Sequence, residues 1–333
     1  MRLNRCLPGE PPMSPSLPIV DMSPLATGGR HALAALAEAI GRAARGAGFF
    51  YLVGHGVDPS LGSSVFRAAA RFFDLPEADK SKQSITRSPH NRGYVAMKGE
   101  RLDPSKAADL KEAFNIGLDL SPRDPRVLAG EPFRGVNMWP DLAGWREIML
   151  TYFNAVWSVG RELHTAIAVD LGVKSDFFDK KLDQPMAVLR LLHYPPQPPT
   201  AAAGQIGAGE HTDYGDITLL LTDAAGGLEI KRRDGDWIPA PTVPGAFICN
   251  IGDCLMRWTN DVYVSTPHRV VNRGERHRYS VAFFLDPNPD AIIACLPTCV
   301  SETRPPRYPP ITGADYLSER LDATYGFRAA SRA

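Results

Sequence analysis

The chain has 333 residues, 44% apolar and 22% charged, enough to build a sizeable core across one or two domains and too apolar for bulk disorder. Its 37 Lys and Arg balance 37 Asp and Glu, so no net field gathers nucleic acid or an anionic membrane. No run approaches the ~20 apolar residues that span a bilayer. Residues 1–16 read as a flexible, Pro-rich segment without the apolar stretch of a secretory signal. The five cysteines, Cys6, Cys249, Cys254, Cys295 and Cys299, contain no CxxC pair, which disfavours structural zinc. The expected compartment is the reducing cytoplasm.

In chain order, Leu17–Asp21 reads as a strand. Leu33, Leu36, Ala37, Ile40 and Ala44 then follow helical spacing and predict a helix near 30–45. Phe49–Val53 is a short apolar run between glycines, hence a buried strand. Asp58 followed by Pro59 supplies an N-cap and a first helical position for a helix through Phe73, and Pro76 opens another short one. From about 140 to 171, Leu142, Trp145, Met149, Tyr152, Val156, Val159 and Leu163 form one apolar stripe, ended by Gly172. This is a packing spine with no catalytic role, and it closes an α/β region spanning 17–184.

Beyond 185 the pattern changes to short β-rich runs: Met186–Tyr194, Ile217–Thr222, Leu228–Lys231, Ala246–Ile251, Leu255–Trp258, Tyr263–Thr266, Arg269–Asn272 and Arg278–Leu285. Turns separate them, among them Gly226-Gly227, which reads as a hairpin, and one closed by Asp253. Many short strands without intervening helices imply an antiparallel fold, a jelly roll foremost, over 185–300. The Pro-rich stretches 195–199 and 304–310 are loops. A last helix is expected from Asp315 to Tyr325, within a C-terminal segment 301–333.

Chemistry enters with His211-Thr-Asp213. In extended chain, residues two apart point the same way, so both side chains can reach one ion. The pair alone is a common coincidence. His268 lies at the start of a later strand, and ten residues on comes Arg278-Tyr-Ser280, again on one strand face. Two histidines and one carboxylate make the facial set that leaves coordination positions of ferrous iron open. An Arg fork with a Ser donor can grip a carboxylate.

These segments resemble the Fe(II)/2-oxoglutarate-dependent dioxygenases, in their isopenicillin N synthase-like branch. The resemblance runs through Leu17–Asp21, Gly48–Gly56, Arg92-Gly-Tyr94, His193–Pro196, His211–Asp213, Gly226–Leu228, Asn250–Asp253, the His268 segment and Arg278–Ser280. It implies a mainly β protein with flanking helices around a double-stranded β-helix (jelly-roll) core. Iron(II) would be held by His211, Asp213 and His268. The cosubstrate 2-oxoglutarate would chelate the metal and set its far carboxylate on Arg278 and Ser280, with Tyr194 adding its hydroxyl. O2 would be the oxidant, ascorbate a possible reductant, and a small molecule the substrate, oxidised with release of succinate and CO2. Hydroxylation leads, with desaturation and ring closure as other outcomes. The protein is expected to be a monomer or weak homo-oligomer. The loop region 85–115 and the C-terminal helix are expected to shape the pocket.

Strand parity adds Phe284, on the face of Arg278, Ser280 and Ala282, as a pocket residue or a core phenylalanine. Arg190 shares a face with Leu192 and Tyr194 and is either a substrate anchor or the partner of a structural carboxylate. Glu210 and His193 fall on the opposite parity, which suits a solvated carboxylate and a structural histidine, and His55 sits in a turn. His31, His90, His164 and His277 show no partner in the sequence. Two rival readings share these motifs: an oxidase of the same fold that uses no 2-oxoglutarate, and a metal or metabolite sensor without turnover.

Overall fold

The computed structural model describes residues 17–102, 107–196, 206–272 and 275–324; the lead-in 1–16 with Cys6, residues 197–199 and Tyr325 lie outside them. The elements are β1 (Ile19–Asp21), α1 (Leu25–Arg45), β2 (Phe49–Val53), α2 (Pro59–Phe73), α3 (Glu77–Lys80), β3 (Gly93–Val95), β4 (Glu112–Gly117) and α4 (Pro125–Leu128). There follow α5 (Trp145–Asp170), β5 (Val188–Tyr194), β6 (Ala208–His211), β7 (Ile217–Thr222), β8 (Leu228–Lys231), β9 (Trp237–Pro239) and β10 (Phe247–Ile251). The chain ends through α6 (Asp253–Trp258), β11 (His268–Val270), β12 (Arg278–Leu285), β13 (Ile292–Ile293), β14 (Ile311–Thr312) and α7 (Gly313–Thr324).

One sheet runs β1-β2-β10-β7-β12-β5-β4-β3 and a second runs β6-β11-β8-β9. Pairing is antiparallel except between β1 and β2. The chain passes repeatedly from one sheet to the other, as a jelly roll requires. The N-terminal strands β1 to β4 are not separate from this core: they extend both edges of the large sheet.

Alternation along β12 divides the interior. Val281, Phe283 and Leu285 join the core beneath the helices, while Ala282 and Phe284 pack with Tyr194, Leu192 and Ile230 on the inner side. Helix α5 covers the outer face. Phe153 meets Phe283 edge to face at 5.0 Å between ring centroids. A Cβ on Gly160 would stand 2.7 Å from Leu285, so the glycine sets how closely helix and sheet approach. Each large side chain that α5 buries, such as Met149 or Leu163, stabilises the fold by roughly 1.5–3 kcal/mol.

Local chemistry sets the helix ends. Asp58 accepts from the Ser60 amide at 2.7 Å, with Pro59 in the first turn of α2. Helix α1 begins at Leu25, earlier than its apolar stripe: the kink at Gly29 (φ 52°) divides it, and its fully buried residues, from Leu36 on, all lie in the later part. Helix α5 begins after left-handed Gly144, so Leu142 precedes it.

Three expectations fail. Leu255–Trp258 is not a strand but most of α6, whose first amides are met by carbonyls from a distant loop: Asp253 N–H donates to Asp213 and Cys254 N–H to Tyr214. Asp253 therefore opens this helix. Tyr263–Thr266 forms no strand: the Val264 amide bonds Ala44, the Thr266 hydroxyl bonds Ala47, and the segment is tied to the end of α1. Gly226-Gly227 is a turn but no hairpin, since β7 and β8 belong to different sheets. Of the described cysteines only Cys249 lies in a strand.

Candidate active site

Strand pairing brings the two histidines together. His211 ends β6 directly opposite His268 at the start of β11, and their ring centroids are 4.3 Å apart. Asp213 arrives differently. The strand stops at His211, so alternation does not aim this carboxylate. Its backbone carbonyl is held by the Asp253 amide, and its Oδ2 accepts from Thr218 Oγ1 at 2.6 Å and Asn250 Nδ2 at 2.7 Å. That leaves Oδ1 facing the imidazoles, 3.9 Å from His211 Nε2 and 3.6 Å from His268 Nε2.

One ligand atom from each residue lies within 4.8 Å of the others, and no fourth His, Cys, Asp or Glu joins them among the described residues. His211 Nδ1 donates to the Gly209 carbonyl at 2.7 Å and His268 Nδ1 to that of Thr266 at 3.2 Å, which leaves both Nε2 lone pairs free to ligate. Burial, reinforced by repulsion from His268, lowers the His211 pKa and keeps that ring neutral. Burial pushes Asp213 the other way, but attraction to His268 and His211 and the Thr218 and Asn250 hydrogen bonds prevail, so its pKa falls below the ordinary value. Two imidazole nitrogens and one carboxylate oxygen suit ferrous iron.

The same cavity, of about 160 Å³, is lined by Tyr194, Arg278 and Ser280. Arg278 is 1% exposed. Its Nε donates to the Gly226 carbonyl at 2.6 Å and its Nη1 to Ser280 Oγ at 3.1 Å, while Nη2 has no partner. The Tyr194 ring, paired across β5 and β12, lies 4.6 Å from the guanidinium carbon. A buried guanidinium with an unused N–H group calls for an anion. The positive φ of Gly226 and Gly227 (70° and 90°) shapes the turn that presents the Gly226 carbonyl, so the Gly-Gly pair serves the clamp.

Further along, Arg190 and Phe284 also line the cavity, as parity implied. Arg190 Nη2 meets Glu100 at 2.5 Å, the structural pairing that was one of its two readings. Glu100 in turn faces Lys111 at 3.4 Å, and Lys111 binds Asp109 at 2.6 Å, all deeply buried. Asp109 accepts from the Gly209 amide, beside the carbonyl that holds His211. Glu100, Leu102 and Lys111 come from the loop region 85–115, and Leu317 and Leu321 from α7. Sequence reading missed these individually, along with Thr218, Asn250 and Asp286. The motif Asn250–Asp253 was the one signal available.

Glu210 points away and pairs with Lys231. His193 bonds Glu112 and His277, and His55 bonds the Gly245 carbonyl. His164 donates to the Gly160 carbonyl, so both it and His277 have partners that the sequence did not reveal.

A metal face open on one side, with a buried cation in the same cavity suited to an acid, is the arrangement of a mononuclear iron oxygenase that consumes a carboxylate cosubstrate. The chain belongs to the 2OG-Fe(II) oxygenase superfamily, in its isopenicillin N synthase-like branch. Residues 185–287 match the family model of that superfamily, and residues 17–142 match that of the non-haem dioxygenase in morphine synthesis N-terminal region. The chain is 36% identical over 321 residues to the 2-oxoglutarate-Fe(II) type oxidoreductase hxnY of Emericella nidulans, covering 94% of this chain and 92% of that one. It is 35% identical over 300 residues to the homoarginine-6-hydroxylase 2-ODD-233 of rice, Oryza sativa, covering 86% and 90%. A full-length Neurospora crassa protein, solved in complex with alpha-KG, superposes with a TM-score of 0.82 at 35% identity over 92% of this chain and 96% of that one. The same Neurospora protein has also been solved with alpha-KG and thymine (TM-score 0.81, 34% identity, 92% and 96% covered). The protein is an Fe(II)- and 2-oxoglutarate-dependent dioxygenase acting on a small molecule. No helix among the described residues is long and apolar enough to cross a membrane.

Proposed function

We propose that His211, Asp213 and His268 hold the ferrous ion, that Arg278, Ser280 and Tyr194 seat 2-oxoglutarate, and that Arg190 and Phe284 face a compact polar substrate, which is hydroxylated. The observation that carries this reading is the partnerless Nη2 of buried Arg278 in the cavity that the three ligands line. When bound, iron and 2-oxoglutarate supply the oxidising chemistry, in which O2 places one oxygen atom in succinate as CO2 leaves and the other in the product.

The chain's own residues do the positioning. Thr218 and Asn250 occupy Asp213 Oδ2 and turn Oδ1 to the metal. Gly226 and Ser280 fix the Arg278 fork with one N–H group to spare. Arg190, neutralised by Glu100, faces the substrate as part of an ion pair, while Leu317 and Leu321 of α7 keep water from the substrate side. Similarity to two relatives, a homoarginine hydroxylase and the Neurospora protein solved with thymine, favours a small nitrogen-bearing substrate. The four described cysteines are free thiols, which suits a reducing cytoplasm.

The test is an aerobic screen with Fe(II), 2-oxoglutarate and ascorbate over amino acids, amines, heterocycles and phenolics, reading succinate and product together. Substrate-dependent succinate in equal amount to oxidised product is expected. Product formed without 2-oxoglutarate would instead assign the same-fold oxidase chemistry.

A further inference from the structure

Asp286 follows β12 on the parity of Arg278, Ser280, Ala282 and Phe284, and its carboxyl lines the cavity. The residue is 4% exposed, and it accepts no hydrogen bond among the described residues. Its Oδ1 lies at Gly215, where an added Cβ would stand 3.1 Å away, so it borders the Asp213–Gly215 turn in the cavity that the three ligands line. A buried carboxyl without a partner costs several kcal/mol if ionised. Its carboxyl is accordingly pushed up to about 8, first by burial, then by repulsion from Asp216 and Asp213, against the weaker pull of Arg92. Either protonation state keeps an acceptor oxygen.

The other charges around the cavity are accounted for. Arg190 and Lys111 balance Glu100 and Asp109. Arg278 answers the far carboxylate of 2-oxoglutarate, and a ferrous ion answers Asp213 and the near one. Near Asp286, Arg92 donates to the carbonyls of His90 and Asn91, while the buried Asp216 carboxylate stands 3.6 Å from His164 Nε2. The loaded cavity therefore keeps at Asp286 a buried carboxyl whose acceptor oxygens no hydrogen bond or ion pair among the described residues engages.

We propose that Asp286 is a specificity residue whose carboxyl receives an N–H-bearing nitrogen group of the substrate, a protonated amine, amidine or guanidine, so that the pocket selects nitrogen cations over anions. This rests on the dioxygenase reading, with Phe284 two residues earlier supplying an apolar ring on the same face.

The test uses the Fe(II)·2-oxoglutarate holoenzyme without oxygen, titrated with benzamidine and with benzoate, two flat probes of similar shape and opposite charge. Binding is read by calorimetry and by perturbation of the visible charge-transfer band. Benzamidine is expected to bind roughly tenfold or more tighter than benzoate, and Asp286→Asn and Asp286→Leu to weaken it by a similar factor, since hydrogen bonds to charged groups contribute about 1.5–3 kcal/mol. Benzoate binding as tightly as benzamidine, no benzamidine binding, or an unchanged benzamidine affinity in both variants would overturn the proposal. The wild-type preference needs no variant to fold. If the wild-type protein gives no charge-transfer band with Fe(II) and 2-oxoglutarate, the dioxygenase reading itself has failed, whatever the probes do.

Discussion

At the end of the cavity proposed for the cosubstrate, Tyr194, Arg278 and Ser280 come from two adjacent strands, and register alone sets them side by side. At the end proposed for the substrate, Glu100 and Lys111 arrive from the loop region before β4, Arg190 from β5, and Leu317 and Leu321 from α7, more than a hundred residues further on. The first end depends on a rule of two-residue alternation that any reader of the sequence can apply. The second depends on long-range packing that no local pattern records. The contrast separates what must stay constant for the reaction from what can change with the substrate.

Substitutions at the metal sharpen this contrast most. His211→Ala or Asp213→Ala should take succinate formation to background and remove ferrous binding, measured by anaerobic titration. Arg278→Ala should spare the metal but raise the 2-oxoglutarate requirement, because truncating one partner of a buried charge pair costs about 2–5 kcal/mol, at least ~30-fold in affinity. An unchanged affinity for 2-oxoglutarate would remove Arg278 from the clamp.

At the substrate end the expected loss is of stability. Lys111→Met takes the buried ammonium away from Glu100 and Asp109, which leaves Arg190 to balance Glu100. Breaking such a group should cost about 3–5 kcal/mol in urea unfolding. A smaller effect is expected between the two ends: Asn250→Ala frees Asp213 Oδ2 of one hydrogen bond and should weaken ferrous affinity ~10–100-fold while the fold persists.

The pH profile of the metal-free protein gives the smallest effect. The folded state holds His211 below its ordinary value, so the unfolded chain binds the proton first as pH falls. Stability conferred by the neutral ring should be complete above about 6.5 and decline as pH drops below it. Denaturant midpoints at neutral and mildly acidic pH check the sign, and a bound ferrous ion should keep or steepen the slope, because it holds the ligating rings unprotonated in the folded state alone.

How much of this was legible follows from the same physics. The jelly roll, β12, β5 and the spine α5 were readable because their apolar periods are long or their turns well marked. Leu255–Trp258 was misread because a run of four residues, three of them apolar, fits a strand or a helix equally, and tertiary carbonyls from Asp213 and Tyr214 decided for α6. Strands β3 and β4 went unseen, since β4 is buried along its whole length and carries Glu112 and Asn115 inward, which hides the alternation. His211 and His268 could be picked out, whereas Thr218, Asn250 and Asp286 could not, because a lone Thr, Asn or Asp in a strand-rich region has no distinguishing spacing. His211-Thr-Asp213 was found by its spacing, yet Asp213 is aimed by hydrogen bonds beyond the end of β6.

The most direct test of the central claim is a crystal structure with Fe(II) and 2-oxoglutarate, the metal located by anomalous scattering under anaerobic conditions. The account predicts the ion on His211 Nε2, Asp213 Oδ1 and His268 Nε2, with the far carboxylate of 2-oxoglutarate on Arg278 Nη2. A fourth protein ligand on the metal, or a cosubstrate carboxylate seated away from Arg278, would contradict it.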